Sequence, residues 1–289
     1  MQIAIASGKG GTGKTSIAVN LATVADEPVC LLDCDVEAPN CRLFLPTPLD
    51  GEEPVTLAVP HVDAARCDGC RTCGGFCRFG AIFSPGGGSP PLVFPELCHG
   101  CGGCVVVCPR GAITEVARPI GLVRSGRRGG LRLVDGLLGN GESMTPAVIR
   151  AVKRHAEPAG LTLIDAPPGT SCAAVEAVRD ADFVVLVTEP TPFGLHDLRL
   201  AVEMVRRLGR PFGVVVNRHG IGDERVAHYC AAEAIPLLLT LPNDRRIAEV
   251  YARGGLLVDE LPALRSRFRD LLARLRTAGE TDEEVAVAI

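Results

Sequence analysis

Short, almost wholly apolar runs recur along the chain, each released into a loop rich in glycine, proline or acid: Ile3–Ala6, Val29–Leu32, Leu161–Ile164, Phe183–Val187, Phe212–Val216 and Ile235–Thr240. Runs this short that do not alternate mark strands buried on both faces, as in a parallel sheet. Helical stretches lie among them. Lys14–Ala25 follows the first run, and Thr145–Ala156 has Thr145 placed as a cap with Pro146 at its first position. Leu261–Thr277 carries a stripe of Leu264, Phe268, Leu271, Leu272 and Leu275 opposite arginines. That stripe has the width of a core face, and the acidic tail Gly279–Glu284 argues against the other use of a basic amphipathic helix, lying on a membrane. Strands alternating with helices predict an α/β fold around a mostly parallel sheet flanked by helices.

One region breaks the rhythm. After the apolar segment Val55–Val59, cysteines fall at C-x2-C-x2-C-x3-C as Cys67, Cys70, Cys73 and Cys77, and again as Cys98, Cys101, Cys104 and Cys108, followed by Pro109. Gly80-Ala81-Ile82 and Gly111-Ala112-Ile113 repeat in step, so the region is an internal duplication. In this spacing three thiolates from one run and the last cysteine of the other hold one [4Fe–4S] cluster. The expected sets are Cys67, Cys70, Cys73 and Cys108, and Cys98, Cys101, Cys104 and Cys77. Zinc needs only two separated pairs per site, so two complete runs with a trailing Cys-Pro favour iron–sulfur. Arg78 stands after Cys77 where that pattern has proline, which is expected to alter the surroundings of the cluster Cys77 holds. Beyond it, Arg118–Arg132 has five arginines, four glycines and no acid; it reads as a hairpin, either a solvated turn or a face for an acidic redox partner.

Composition bounds the setting. The 289 residues suffice for one large α/β domain and a small one. Thirteen cysteines, a start that runs straight into a strand, and no apolar run of span length imply a reducing, cytoplasmic setting with no stable membrane association. A net charge of −4 gives no argument for nucleic-acid binding.

The lysines sharpen the chemistry. Of 30 basic residues only Lys9, Lys14 and Lys153 are lysines, and two of them lie in Gly8–Ser16, GKGGTGKTS, directly behind the first strand. The stretch fits G-x-x-x-x-G-K-[ST], a loop whose backbone amides and helix N-terminus converge on a triphosphate, and where a compact ammonium is preferred to a guanidinium. Gly8, Gly10, Gly11, Thr12, Gly13, Lys14, Thr15 and Ser16 are its candidate residues. Asp33 and Asp35 leave the second strand, where they can orient Mg²⁺ and water with the Thr15 hydroxyl. Asp165 opens Asp165-Ala166-Pro167-Pro168-Gly169, a loop suited to holding Mg²⁺ and shifting with the γ-phosphate. Asn217, Arg218 and Pro242–Asp244 lie at later strand ends, where a purine can be read.

With these motifs together, the chain resembles MinD/ParA-type P-loop ATPases over residues 1–59 and 118–289, and most of all a branch with a ferredoxin domain inserted, here residues 60–117. GKGGTGKT, DxPPGTSC and TEPTPFGLHDL, which recur together in that branch, stand at Gly8–Thr15, Asp165–Cys172 and Thr188–Leu198. The resemblance implies ATP and Mg²⁺ as ligands and an ATP-dependent homodimer in which Lys9 reaches the partner's nucleotide. Lys14 and Thr15 would serve phosphate and Mg²⁺, Asp35 the attacking water, Asp165 the Mg²⁺ shell, and Asn217 with Pro242–Asp244 the adenine. The same superfamily includes the nitrogenase iron protein, with a cluster-ligating cysteine seven residues after the switch aspartate, the spacing of Cys172 from Asp165; a small residue packed at a helix start is the plainer reading. The expected activity is ATP hydrolysis gating electron transfer through the two clusters to an unidentified redox partner. The alternatives are an Mrp-like iron–sulfur carrier, whose C-x-x-C near the C-terminus has no counterpart here, and a MinD-like positioning module.

Overall fold

Strands are, in chain order, β1 Gln2–Ala6, β2 Val29–Asp33, β3 Leu49–Val62, β4 Ile82–Phe83, β5 Leu92–Val93, β6 Ile113–Arg128, β7 Leu131–Leu138, β8 Leu161–Asp165, β9 Phe183–Thr188, β10 Phe212–His219 and β11 Leu237–Pro242. The computed structural model describes residues 1–286, with side chains as far as Ala278, so the acidic stretch Gly279–Glu284 lies outside the described side chains. Among the described residues, nine strands form one sheet in the order β11-β10-β9-β1-β8-β2-β7-β6-β3. All pairings from β11 across to β7 are parallel. Register sets the site: Asp33 at the end of β2 is level with Asp165 at the end of β8, and Ile5 of β1 is level with the same Asp165. The first strand therefore releases its glycine loop beside two carboxylates.

The chain divides into two compact units, one of residues 1–52, 123–137 and 149–289, the other of 53–122 and 138–148. Strands β3, β6 and β7 each run from one unit into the other.

In the first unit β1, β2 and β8 are apolar because helices cover both faces, and Ile3, Ile5, Leu31, Leu32, Leu163 and Ile164 are all fully buried. The closing helix extends over Pro262–Ala286, and its stripe of Leu264, Phe268, Leu271, Leu272 and Leu275 is buried in this core. Each such side chain stabilises the fold by roughly 1.5–3 kcal/mol, which settles the stripe as a core face. Among the described residues no helix is long and apolar enough to cross a membrane.

Several boundaries differ from the sequence pattern, and the helix expected over Thr145–Ala156 ends at Lys153. The apolar segment Val55–Val59 is the middle of a 14-residue strand whose residues there alternate buried and exposed, as one-faced strands do. The last strand begins at Leu237 and not at Ile235, because Pro236 follows Ile235 and removes a ladder donor.

The second unit holds the β4–β5 antiparallel ribbon, the short helices Thr72–Phe76 and Gly103–Val106, and a small core of Cys73, Ile82 and Ile113. The internal repeat is visible in its backbone. Left-handed residues occur in step at Gly69 and Gly100 (φ 67° and 65°), Arg71 and Gly102 (both 68°), and Gly80 and Gly111 (69° and 56°). Glycine suits such positions; Arg71 is the exception.

Candidate functional site

The loop between β1 and helix Lys14–Val24 is shaped by glycines used for distinct reasons. Gly13 precedes the helix with φ 97°, and a Cβ there would fall 2.5 Å from Asn217 Nδ2. At Gly8 a Cβ would lie 2.1 Å from the Asp197 carbonyl oxygen, so helix Pro192–Arg207 abuts the start of the loop. That helix is set by its own ends, with Thr191 Oγ1 accepting from Gly194 N at 3.0 Å and Pro192 leading the first turn.

Lys14 is buried (7 % exposed); desolvation pulls its ammonium below the usual lysine range, against the opposing charges of Asp165 and Asp35. Thr15 Oγ1 donates to Asp165 Oδ2 at 2.6 Å. The other oxygen, Asp165 Oδ1, is buried without a partner, as is Thr12 Oγ1. An unpartnered buried carboxylate oxygen is costly, and a hydrated Mg²⁺ beside Thr15 would satisfy it, so these residues fit the ion.

Asp33 is used differently from its neighbour. Its Oδ2 accepts from Asn40 N at 2.8 Å and Cys41 N at 2.9 Å, and its Oδ1 from Asp35 N at 3.2 Å. It pins the loop that carries Asp35, and the described residues Asp33, Cys41 and Asp165 form a buried group that could also hold a metal. Burial pushes both carboxyls above the usual range, and at Asp165 the charge of Asp33 adds to the effect. Asp35, half-buried, is also raised, chiefly by desolvation, while Lys14 lowers it.

A cavity of about 310 Å³ joins these groups, lined by Gly10, Gly11, Gly13, Lys14, Thr15, Ser16, Asp35, Pro168, Asn217, Arg218, Pro242 and Asp244. The volume is that of a small-molecule site. Two of the purine candidates are already engaged. Asn217 Nδ2 donates to Thr12 O at 2.8 Å and its Oδ1 accepts from Arg218 N at 2.9 Å, so this amide ties β10 to the glycine loop. Asp244 caps helix Arg245–Ala252, accepting from Arg246 N at 2.8 Å.

Sequence reading missed two neighbours. Tyr251 lines the same cavity, half exposed, with its ring 5.4 Å from that of Phe44. Glu189 holds Lys9, its Oε2 lying 3.1 Å from Lys9 Nζ, while its Oε1 receives Arg218 at 2.6 Å. The clue to Tyr251 was its rarity, one of two tyrosines; nothing local linked Glu189 to Lys9.

In the second unit the eight cysteines divide between two cavities. One is lined by Cys67, Cys70, Cys73 and Cys108, the other by Cys77, Cys98, Cys101 and Cys104. No disulfide joins any of the thirteen cysteines. Amides already face sulfur in each, Ala112 N to Cys108 Sγ at 3.3 Å and Gly100 N to Cys98 Sγ at 3.4 Å. Four thiols about one cavity, with amide donors to the sulfurs, are a donor set that fits an iron–sulfur cluster. Cys172 is elsewhere, exposed at the first position of helix Cys172–Val178, so it is not the packed residue the plainer reading expected. The Arg118–Arg132 run forms the β6–β7 hairpin, turning at Gly129; three of its five arginines are paired, Arg118 with Glu142, Arg124 with Asp135 and Arg132 with Glu157, while Arg127 and Arg128 at the turn are exposed.

A glycine loop between β1 and its helix, with carboxylates at neighbouring strand ends, defines a nucleotide-binding P-loop protein. Residues 3–258 match the CobQ/CobB/MinD/ParA nucleotide binding domain, and the chain belongs to that family as a MinD/ParA-type ATPase. It is 32% identical over 265 residues to an uncharacterized protein of Methanocaldococcus jannaschii, covering 88% of this chain and 90% of that one. It is 25% identical over 302 residues to a cytosolic Fe-S cluster assembly factor Nubp2 homolog of Anopheles gambiae, covering 96% and 97%. A shorter likeness, 48% identical over 48 residues, joins 16% of the chain to 27% of the ferredoxin-type protein NapF of Haemophilus influenzae. In fold it is similar to the septum site-determining protein MinD complexed with Mg-ADP from Pyrococcus horikoshii, with a TM-score of 0.56, 20% identity and 95% of each chain covered.

Proposed function

We propose that this chain is a cytoplasmic ATP-hydrolysing iron–sulfur protein in which a nucleotide-dependent homodimer gates electron transfer through two [4Fe–4S] clusters held by an inserted ferredoxin-like domain. The observation that carries the reading is the division of eight cysteines between two four-cysteine cavities in a chain whose other site is a P-loop. The short likeness to a ferredoxin-type protein supports it. When bound, each cluster supplies a one-electron carrier.

The chain's own residues do the rest. Lys14 and the amides of Gly10–Thr15 would hold the phosphates, and Thr15 and Asp165 the Mg²⁺ shell. Asp35, on the loop pinned by Asp33, would orient the attacking water. Lys9 would leave Glu189 for the nucleotide of a second copy, and Gly169, after the rigid Pro167-Pro168, would give the Asp165 loop its freedom to follow the γ-phosphate. Tyr251 offers a ring for adenine beside Pro242–Asp244. Because β3, β6 and β7 pass through both units, a change of loop state in the ATPase has a covalent route to the cysteine unit.

The test is anaerobic reconstitution followed by iron and sulfide analysis and by electron transfer from a chemical reductant to a dye, with and without ATP. About eight irons per chain are expected by this cluster count, with a rate that responds to ATP; a rate and potential indifferent to nucleotide would remove the gating. A second reading, an iron–sulfur carrier, is favoured by the Nubp2 homolog's likeness over nearly the whole chain. Transfer of iron and sulfide from the loaded protein to an apo-ferredoxin would select it.

A further inference from the structure

We infer that the two cysteine cavities are electronically unequal, and that side chains around the Cys67, Cys70, Cys73 and Cys108 cavity make it the resting place of the electron. The inference rests on the iron–sulfur reading above. Cluster potentials follow net charge nearby, hydrogen bonds to sulfur, and exposure; the cysteines of the two cavities are exposed alike, one buried, one exposed and two between in each, and the cavities differ in charge, in hydrogen bonds to sulfur and in the polarity of their walls.

Charge differs in sign. The first cavity is lined by Arg71, Arg110 and Asp68, and the second by Glu115 as its one carboxylate, with no lysine or arginine. Arg110 sits 3.8 Å from Asp68, whereas Arg71 donates to the Pro85 carbonyl at 3.1 Å and so keeps its charge uncompensated by any carboxylate in that contact. Arg71 is also the left-handed residue that replaces the glycine of the repeat, and a Cβ on Gly86 would overlap its guanidinium. The loop is built to admit this side chain. Arg78, next to Cys77, is exposed and is not part of either lining.

Hydrogen bonding differs too. Each cavity has an amide on one sulfur, Ala112 N and Gly100 N. The first adds two hydroxyls, Thr72 Oγ1 at 3.4 Å from Cys70 Sγ and Ser84 Oγ at 3.8 Å from Cys73 Sγ. A ligating thiolate can only accept, so both hydroxyls would turn their protons to sulfur and stabilise added negative charge. No hydroxyl side chain lines the second cavity. It is walled by Phe76, Phe79, Ala58 and Pro60, with Phe79 stacked on His99 at 3.8 Å between ring centroids. Apolar walls disfavour the more negative state.

The test is an EPR-monitored redox titration of the full-length protein with both sites loaded, at one fixed pH. Two one-electron steps are expected, separated by more than a tenfold difference in equilibrium constant, which is 59 mV for one electron. Arg71→Gln and Arg110→Gln should each move the more positive step downward and leave the other in place. Ser84→Ala should do the same without changing charge. Glu115→Gln should move the more negative step upward. Coincident steps in the wild type, or arginine variants that move the lower step, would overturn the inference while leaving the clusters themselves established. Iron and sulfide at background level after reconstitution would instead overturn the reading beneath it and the inference with it.

Discussion

Lys9 Nζ lies 3.1 Å from Glu189 Oε2, and the same buried carboxylate receives Arg218 on its other oxygen at 2.6 Å. One acid thus holds two cations, Lys9 about one-third exposed and Arg218 about half exposed. For a lysine that would act on a second copy's nucleotide, Glu189 is a competitor. Glu189→Gln should therefore lower the ATP concentration needed for dimerisation, by roughly three- to tenfold, since a partly exposed ion pair contributes on the order of 1 kcal/mol. Size-exclusion chromatography with light scattering across an ATP titration reads this directly. Lys9→Ala should leave binding of a fluorescent ATP analogue largely intact while weakening dimerisation and hydrolysis. Lys14→Ala, which removes the buried ammonium lining the cavity, should weaken binding itself. Equal loss of binding in both lysine variants would end the division of labour.

Asp135 is 1 % exposed and is shared by two arginines, Arg42 Nε donating to Oδ1 at 3.0 Å and Arg124 Nε to Oδ2 at 2.7 Å. It sits opposite Asp33 in the β2–β7 register, so the pair of arginines anchors the hairpin strand to the sheet. Removing the carboxylate strands two guanidinium groups that are themselves mostly buried. Asp135→Ala should cost about 3–5 kcal/mol, seen as a lower urea midpoint with unchanged slope. Asp135→Asn keeps part of the hydrogen bonding and should cost less.

Four buried thiols outside the cysteine cavities, Cys30, Cys34, Cys41 and Cys230, are raised by burial and set an alkaline limit, and two of them can be followed within reach of ordinary pH. Burial pushes Cys30 and Cys230 each from 9.0 up to about 11. A group with a raised folded-state pKa contributes stability that is whole below its unfolded value and lost as pH rises through the folded one. The window is therefore pH 9 to about 11. Urea midpoints at pH 8 and pH 10.5 should fall further apart in the wild type than in the Cys30→Ala, Cys230→Ala double variant. An identical fall in both would show that these thiols do not carry the effect.

The α/β sheet was legible because strands buried on both faces need no alternation, so each appears as one contiguous apolar word such as Val29–Leu32 or Phe183–Val187. The glycine loop was legible for the same reason: its constraint is local, one residue after the next. What stayed hidden depends on residues far apart in the chain. No local pattern joins Lys9 to Glu189, Thr12 to Asn217, or Arg42 to Asp135. The Arg118–Arg132 run shows the converse, since three of its five charges looked free only while Glu142, Asp135 and Glu157 were out of view. Asp33 and Asp35 look alike in sequence, yet amides consume one and the cavity takes the other.

Cys108 lies in the second cysteine run but lines the cavity of the first, and Cys77 does the reverse. Substitution should therefore sort by cavity and not by sequence order. Cys108→Ser and Cys67→Ser should deplete the same EPR signal, and Cys77→Ser and Cys98→Ser the other, each lowering iron content towards half. Serine retains volume and a weak oxygen donor, so partial occupancy with an altered signal counts as depletion when the untouched signal keeps its full spin count. If Cys108→Ser instead depleted the signal lost in Cys98→Ser, each cluster would be held by its own run. A single zinc per cavity, by metal analysis of protein purified anaerobically, would replace iron–sulfur with a tetrahedral thiolate site.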